Sequence, residues 1–312
     1  MAGKDLLSIS DLNPEDIRLL ISNAVDMKSG GWTSSLGGKT LALVFEKPSL
    51  RTRLSFEIAM QQLGGQAIYL SPDEVGLGNG ESVPDVARVL SRYADAITAS
   101  TFSHGTLETL AAYASVPVIN ALSDLEHPCQ ALADFLTIYE KKGELAGLAV
   151  AYVGDGNNVA NSLLLVASQI GVDFRIAAPG GYQLQEDILR KAREYAVGSG
   201  AHILCTEEPR LAVTEADVVY TDAWASMGQE AEAEPRRQVF AGYQVNEELL
   251  ALARADAIFM HPLPAHRGEE VSENILDCRQ SVVFDQAENQ LHLQKALLAG
   301  MLGSLEIPLA NY

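Results

Sequence analysis

Short apolar runs alternate along the chain with longer segments in which apolar residues recur at helical spacing. The runs have the length of strands and cover 40–46, 66–70, 96–100, 116–120, 148–154, 173–179, 202–205, 218–222, 257–263 and 282–286. Helices are predicted between them, near 52–63, after Ser82, at 105–114 and 128–141, from Asn158 onward, and at 184–196. Buried strands that alternate with helices predict an α/β fold, in which mainly parallel sheets carry helices on both faces.

The alternation runs in two series, which predict two domains of similar size. The first series opens with a helix whose start is marked by Asn13 as N-cap and Pro14 at the first helical position. Lys, Gly and Glu cluster at 141–147, so the domains are predicted at 1–140 and 141–286. The C-terminal helix, within 287–312, is predicted to pack back on the first domain.

The composition is that of an ordinary globular protein, with 47% apolar and 20% charged residues. The 41 acidic residues outnumber the 22 Lys and Arg residues, and the resulting net charge of −19 repels nucleic-acid phosphates and anionic lipid. We therefore expect neither a nucleic-acid nor a membrane partner. If the substrate is an anion, the few cations must be concentrated where it binds.

The cysteines and the apolar runs indicate a cytoplasmic protein. Cys129, Cys205 and Cys278 are widely spaced and form no CxxC pair, which is typical of a reduced protein without a disulfide or zinc framework. The N-terminal segment has no apolar stretch of signal-peptide length, and the longest apolar runs, about ten residues, are too short to span a bilayer.

A helix start with phosphate-binding chemistry follows the first predicted strand, in the segment FEKPSLRTR at 45–53. Ser49 and Thr52 offer hydroxyl groups, Arg51 and Arg53 offer guanidinium groups, and the helix start offers backbone N–H groups. The alternative is an ordinary Ser N-cap with two surface arginines that pair with nearby acids. Arg51 favours the anion site, because the helix dipole disfavours a cation in the first turn unless an anion is bound.

A histidine and a glutamine open the helix that follows the predicted strand at 116–120. His127 and Gln130 can both donate a hydrogen bond to a carbonyl oxygen that gains charge in an acyl-type transition state. The alternative makes His127 an N-cap, leaves Gln130 in solvent and buries Cys129 in the core.

The turn at 154–158, GDGNN, resembles a dinucleotide-binding turn only weakly, because it lacks a third glycine at the required spacing. The adjacent amides of Asn157 and Asn158 suit a small polar group such as a carboxylate or an amine. A tight turn capped by Asn158 is the structural alternative.

Two further polar segments follow predicted strands late in the chain. Asp222 could hold an ammonium group, and the Ser-Met-Gly stretch at 226–228 could offer backbone groups. In His-Pro-Leu-Pro at 261–264, a cis bond at Pro264 would turn the carbonyl of Leu263 into the cleft. The alternative is a Pro-rich connection and a flexible loop.

The order of these motifs resembles the aspartate/ornithine carbamoyltransferase family over nearly the whole chain, and the Ser-Met-Gly loop resembles its ornithine branch. The resemblance implies transfer of a carbamoyl group from carbamoyl phosphate to the side-chain amine of L-ornithine, which yields citrulline in arginine biosynthesis. It implies that 1–140 and the last helix bind carbamoyl phosphate and that 141–286 bind ornithine. It also implies a site between the domains, completed by a neighbour in a homotrimer or a multiple of trimers, without metal or organic cofactor.

The resemblance also implies a role for each matching residue. Arg51, His127, Gln130 and the carbonyl of Leu263 would contact the reacting groups. The implied carbamoyl-phosphate-binding residues are Ser49, Leu50, Arg51, Thr52, His127, Gln130 and Gln290, and the implied ornithine-binding residues are Asn158, Asp222, Ser226, Met227, Pro262 and Leu263.

Three positions depart from the family pattern. Pro262 stands where the ornithine branch has a cysteine, while Ser100 and Gln290 stand where the family has arginines. Each lost charge-assisted hydrogen bond is worth roughly 1.5–3 kcal/mol, so the carbamoyl phosphate site is expected to be weakened. Cations available to compensate are Lys47, Arg92, Arg267 or a neighbour's residue.

Two other functions remain open at the level of the sequence. A paralogous carbamoyltransferase for another amine or ornithine derivative is suggested by Pro262. A catalytically weak ligand-binding protein is suggested by the two lost arginines. The residues leave the biosynthetic and the catabolic direction equally open.

Overall fold

The computed structural model describes residues 1–30, 36–47, 49–77, 80–225, 228 and 230–303. The chain divides into two compact units. Unit 1 consists of Met1–Asp124 together with Gln290–Tyr312, of which residues up to 303 are described, and unit 2 consists of Leu125–Asn289.

Unit 1 is built on a parallel sheet of four described strands in the order β2-β1-β3-β4. Its strands are β1 Thr40–Phe45, β2 Gln66–Leu70, β3 Ala96–Ser100 and β4 Val118–Leu122, and its helices are α1 Pro14–Lys28, α2 Leu50–Gln62, α3 Pro72–Val75, α4 Val83–Tyr93 and α5 His104–Tyr113. Phe45 is in register with Ser100, so the segments that follow β1 and β3 start side by side.

Unit 2 is built on a parallel sheet of five described strands in the order β7-β6-β5-β8-β9. Its strands are β5 Ala149–Val153, β6 Asp173–Ala177, β7 Ile203–Thr206, β8 Val218–Tyr220 and β9 Ile258–Met260. Its helices are α6 Pro128–Lys142, α7 Asn158–Ile170, α8 Glu186–Ser199, α9 Pro209–Val213, α10 Ala233–Val239 and α11 Glu247–Leu250. In open parallel sheets the residues beyond the carboxyl ends of the strands form the ligand site, and β5, β8 and β9 are neighbours here.

The last helix, α12 Val283–Leu302, begins in unit 2 and ends in unit 1, as predicted for a C-terminal helix that packs back. The Gly3 N–H donates to the Met301 carbonyl at 3.3 Å. Among the described helices, none is long and apolar enough to cross a membrane.

The prediction of a strand at 282–286 is wrong. Ser281 forms an isolated β-bridge with Phe259, and the Val282 N–H donates to the Phe259 carbonyl at 3.0 Å, but α12 begins at Val283. A short apolar run is compatible with a strand or with a buried helix start, and Asp285 in the first turn favours the helix.

The division between the units lies earlier than the predicted domain boundary at 140/141. Unit 2 begins at Leu125 and therefore contains all of α6. This helix packs against α7, and its Asp134 bonds to Tyr220 at the end of β8, which ties α6 to the second sheet.

Candidate active site

The start of α2 in unit 1 has the features expected of an anion site. Ser49 is the N-cap by position, but its side chain does not cap the helix; its hydroxyl instead donates to Thr52 Oγ1 at 2.9 Å. The first turn contains no acidic residue, and Arg51 is partly exposed within it. Backbone N–H groups without a side-chain cap, two hydroxyl groups and a guanidinium group therefore lie together at the positive end of a helix dipole.

The two arginines of this segment have different environments. Arg53 Nε donates to Glu57 Oε1 at 2.8 Å, and its guanidinium carbon lies 3.8 Å from the centroid of the Tyr69 ring. The pKa of Arg53 is raised, mainly by the bond to Glu57. The alternative of an arginine paired with a local acid is thus correct for Arg53.

Ser100 lies at the end of β3, beside the segment that follows β1. It is buried, and its hydroxyl donates to the Lys47 carbonyl at 3.4 Å. Lys47 is also buried, and its Nζ lies 5.1 Å from the centroid of the Phe102 ring. Lys47 is therefore held next to Ser100 by its backbone, with its ammonium group over the ring of Phe102.

The other cations considered for compensation lie elsewhere. Arg267 is in unit 2 and pairs with Asp277 at 2.9 Å, while Arg92 is an exposed residue in the last turn of α4. Gln290 is buried in α12, and Leu50 at the start of α2 is largely exposed.

His127 is the N-cap residue of α6 by position, but its side chain makes no capping bond. Its backbone N–H donates to Ser162 Oγ at 2.9 Å, and the Ser162 hydroxyl donates to Glu126 Oε2 at 3.0 Å. These buried contacts fix the backbone from which the imidazole of His127 projects. Cys129 is buried, as the alternative predicted, and burial raises the pKa of its thiol to about 12.

Gln130 is not in solvent, contrary to the alternative interpretation of this motif. It is buried in the first turn of α6, and its Nε2 donates to Asp134 Oδ1 at 2.7 Å. Asp134 also accepts from Gln286 Nε2 at 2.8 Å and from the Tyr220 hydroxyl at 2.9 Å. Asp134, one helical turn from Gln130, thus links Gln130 by hydrogen bonds to Tyr220 in β8 and to Gln286 in α12.

The segments after β5 and β8 meet through an amide and a carboxylate. Asn157, not Asn158, is the N-cap of α7, and its Oδ1 accepts from the N–H groups of Val159 and Ala160. Asn157 Nδ2 donates to Asp222 Oδ2 at 2.8 Å. Burial raises the pKa of Asp222, although His261 and the bond from Asn157 oppose that rise.

The structure describes only some of the other residues predicted to bind ornithine. Asn158 is the first residue of α7 and is partly exposed, next to the pair formed by Asn157 and Asp222. Ser226 and Met227 lie outside the described residues. Arg236 in α10 connects the parts of the chain on either side of these residues. Its Nη1 donates to Asp155 Oδ2 at 2.7 Å and to the Trp224 carbonyl at 2.9 Å.

The turn after β5 has room only for a glycine at position 156, between Asp155 and Asn157. A Cβ at this position would lie 2.5 Å from backbone atoms of Gln183 and Leu184. The glycine therefore permits close backbone packing between two loops of unit 2 and is not evidence for a dinucleotide site.

The segment after β9 has the predicted cis bond between Leu263 and Pro264. Leu263 has a φ of 54°, and its N–H donates to His261 Nδ1 at 2.9 Å, while Pro262 and Leu263 are partly exposed. The other ring nitrogen of His261, Nε2, lies 3.3 Å from Glu270 Oε1.

Glu270 contacts two histidines, the ring of His261 and the backbone N–H of His266. Burial raises its pKa, but His261 and the backbone N–H of His266 outweigh that effect and hold the pKa below its usual range. His266, Glu269 and Glu270 bring possible metal-ligating atoms within 4.8 Å of one another. Glu269 is also ion-paired with Arg237 at 2.9 Å, so this carboxylate already has a cationic partner.

Sequence reasoning missed three polar residues of this region, namely Asp134, Tyr220 and Gln286, and it did not foresee the bond from Asn157 to Asp222. For Asp134 a signal was present, because residues four apart on a helix lie on one face and Gln130 was already singled out. Tyr220 and Gln286 gave no such signal, since they are 86 and 152 residues from Asp134.

Two family models match consecutive parts of the chain. Residues 4–140 match the carbamoyl-P binding domain of aspartate/ornithine carbamoyltransferase, and residues 146–301 match its Asp/Orn binding domain.

Full-length relatives have closely similar sequences. The ornithine carbamoyltransferase of Anoxybacillus flavithermus is 53% identical over 306 residues, which span 97% of this chain and 98% of that protein. The anabolic ornithine carbamoyltransferase of Pyrococcus furiosus is 52% identical over 310 residues, 98% of each chain.

Solved structures are similar over the same extent. The ornithine carbamoyltransferase from Pyrococcus furiosus has a TM-score of 0.94 at 52% identity and covers 98% of this chain and 99% of its own. The anabolic enzyme from Campylobacter jejuni has a TM-score of 0.92 at 41% identity and covers 95% of this chain and 98% of its own.

Proposed function

The chain belongs to the aspartate/ornithine carbamoyltransferase family, and we propose that it transfers the carbamoyl group of carbamoyl phosphate to the side-chain amine of L-ornithine. The products are L-citrulline and phosphate. The proposal takes its substrates from the relatives named ornithine carbamoyltransferase and its chemistry from the groups that the two units present.

The observation that carries the proposal is the start of α2. Ser49 and Thr52 offer hydroxyl groups, the helix start has no side-chain cap, and its first turn holds Arg51 but no acid. A dianionic phosphate would accept hydrogen bonds from these groups, from the Leu50 N–H and from the dipole-polarised amides. Buried Lys47, beside Ser100, would supply part of the charge that Ser100 and Gln290 do not.

The carbamoyl group would be held by the start of α6. In the reaction the neutral δ-amine of ornithine forms a bond to the carbamoyl carbon, the bond from that carbon to the phosphate oxygen breaks, and the proton lost by the amine nitrogen passes to the departing phosphate. His127 would stabilise negative charge on the carbamoyl oxygen, and Gln130 would orient the group. Holding both reactants in position can supply roughly 7–11 kcal/mol of the barrier reduction.

Ornithine would be held by the carboxyl ends of β5, β8 and β9. Asp222 suits the α-ammonium group, because its partly buried carboxylate gains a cationic partner when the amino acid binds. Asn158, with Ser226 and Met227, would hold the rest of the α-amino and α-carboxylate end. The Leu263 carbonyl would accept a hydrogen bond from the attacking amine, with Pro262 beside the side chain of the substrate.

We also propose a homotrimer, or a multiple of trimers, in the cytoplasm. Leu50, Leu54 and Ile58 are exposed at four-residue spacing along α2, which gives this helix an apolar stripe suited to a second copy of the chain. The three cysteines are free thiols, which fits a reducing compartment.

The experiment that tests the function is a steady-state assay of carbamoyl product with carbamoyl phosphate and a panel of amines. L-Ornithine is expected to have the highest kcat/KM, because Asp222 and Asn158 are placed to bind its α-amino acid end. Putrescine, which lacks the α-carboxylate, serves as the matched acceptor. A higher kcat/KM for putrescine or another amine than for ornithine would contradict the proposed substrate.

A further inference from the structure

Asp134 lies at the centre of a buried polar network. The proposed function assigns no role to Asp134, Tyr220 or Gln286. Its side chain is fully buried in α6, as are its partners Tyr220 in β8 and Gln286 in α12. Three hydrogen bonds converge on its two oxygens, at 2.7, 2.8 and 2.9 Å. A carboxyl group placed fully inside a protein is costly unless such bonds compensate it, so its presence calls for a physical role.

The orientation of the Gln286 amide is fixed from one end of the network. The backbone N–H of His261 donates to Gln286 Oε1 at 2.9 Å, and a backbone N–H can only donate. The amide of Gln286 must therefore turn its oxygen to His261 and its nitrogen to Asp134. Since Gln286 Nε2 donates to Asp134 Oδ1, this oxygen of Asp134 is an acceptor.

The same oxygen orients Gln130. Asp134 Oδ1 accepts from Gln130 Nε2 at 2.7 Å, which commits the amide nitrogen of Gln130 to Asp134. A planar amide then turns its oxygen away from Asp134. In the first turn of α6 the side chain of Gln130 thus has a defined orientation, set through Asp134 by the segment that follows β9.

We propose that Asp134 is a positioning residue that turns the Gln130 amide so that its oxygen accepts a hydrogen bond from the NH2 group of the carbamoyl substrate. This inference rests on the proposed function and refines it, because the sequence alone suggested that Gln130 donates to the carbamoyl oxygen. The division of labour becomes simple: His127 attends to the oxygen and Gln130 to the nitrogen. Through Gln286 and His261, the same network is tied to Leu263, the residue assigned to the attacking amine.

Two phosphonates separate this role from a merely structural one. Phosphonoacetamide and acetonylphosphonate carry the same anionic group and the same carbonyl, but only phosphonoacetamide has an NH2 group on that carbonyl. The wild-type protein is expected to bind phosphonoacetamide about tenfold more tightly, the effect of about one net hydrogen bond. Calorimetric titration of both ligands into the full chain gives this amide preference as a ratio of Kd values.

Four variants complete the test. Asp134→Leu and Asp134→Ser remove the acceptor that reaches Gln130, so their amide preference is expected to fall to about one. Asp134→Asn keeps an oxygen that can accept from both glutamine amides, so its preference should stay within about twofold of wild type. Thr137→Val, on the same helix, removes an equally buried polar group that bonds to Asn289 and should leave the preference unchanged.

The outcomes divide clearly. Loss of the amide preference in every one of the Leu and Ser variants that folds, with retention in Asn and Val, supports the role of Asp134; the Ser variant keeps the test open if Leu does not fold. A wild-type preference of one or less, or a preference retained in the Leu or Ser variant, would overturn it, and the proposed function would stand if the wild type still makes citrulline. A wild type that makes no citrulline and binds neither phosphonate would overturn both proposals.

Discussion

Single side chains decide how strongly unit 1 can hold an anion. Ser100 occupies the end of β3, where the resemblance to the family implies an arginine, and Lys47 lies beside it, bonded through its carbonyl to the Ser100 hydroxyl. Lys47 is buried against Phe102, so its ammonium group is partly desolvated and its attraction to a nearby dianion is strengthened.

Replacement of this ammonium group should weaken phosphate binding. We expect Lys47→Met to raise the KM for carbamoyl phosphate about 10- to 100-fold, because one charge-assisted hydrogen bond is lost. Lys39→Met is the matched control, since Lys39 stands just before β1, at its opposite end, paired with Asp95 at 2.8 Å. Equal kinetics of the Lys47→Met variant and wild type would exclude Lys47 from the anion site.

The adjacent residues Asn157 and Asn158 form a natural matched pair. Asn158→Ala should raise the KM for ornithine by an order of magnitude or more and leave carbamoyl phosphate binding nearly unchanged. Asn157→Ala should in addition lower the free energy of unfolding by about 1 kcal/mol, because Asn157 caps α7. Kinetics and denaturant unfolding of both variants check this; equal loss of both substrates in Asn158→Ala would argue against its assignment to ornithine.

At the scale of the element, α6 carries a carboxyl group that makes stability depend on pH. Burial raises the pKa of Asp134 from 3.8 to about 7. A raised carboxyl pKa means that ionisation is penalised in the folded state, so this contribution to stability is complete below pH 4 and is lost as pH rises through 7.

Asp134→Asn should therefore gain stability relative to wild type as the pH increases. The difference in free energy of unfolding between the two proteins is expected to shift in favour of the variant by about 4 kcal/mol between pH 4 and pH 8. Urea unfolding across this range measures the shift, and other titrating groups cancel in the difference. A difference independent of pH would show that Asp134 does not titrate between these values.

Elements were predictable where local pattern decides them. The strands at 66–70 and 96–100 have the predicted bounds, because a short apolar run bounded by turn residues has few alternatives. The strand predicted at 282–286 was wrong, because an apolar run of this length can also begin a buried helix, and packing decides between the two. Within the site, Ser49, Arg51 and Gln130 could be found from local sequence, but the orientation of Gln130 depends on partners far along the chain.

At the scale of the whole molecule, the apolar stripe of α2 predicts assembly. Leu54→Glu should convert the proposed trimer to smaller species in sedimentation equilibrium, because a carboxylate would be buried in the stripe. Leu211→Glu is the control, since Leu211 is a similarly exposed leucine in α9 of unit 2. An unchanged mass for the Leu54→Glu variant would place the interface elsewhere.

The central claim is that carbamoyl phosphate bound at the start of α2 gives its carbamoyl group to ornithine. The most direct measurement is the rate of citrulline and phosphate formation from these two substrates by wild type, Arg51→Ala and Arg53→Ala. We predict equal amounts of the two products from wild type, a rate at least about 100-fold lower for Arg51→Ala, and a modest change for Arg53→Ala, whose guanidinium is engaged by Glu57 and Tyr69. No citrulline from the wild type, or an Arg51→Ala variant as active as wild type, would contradict the account.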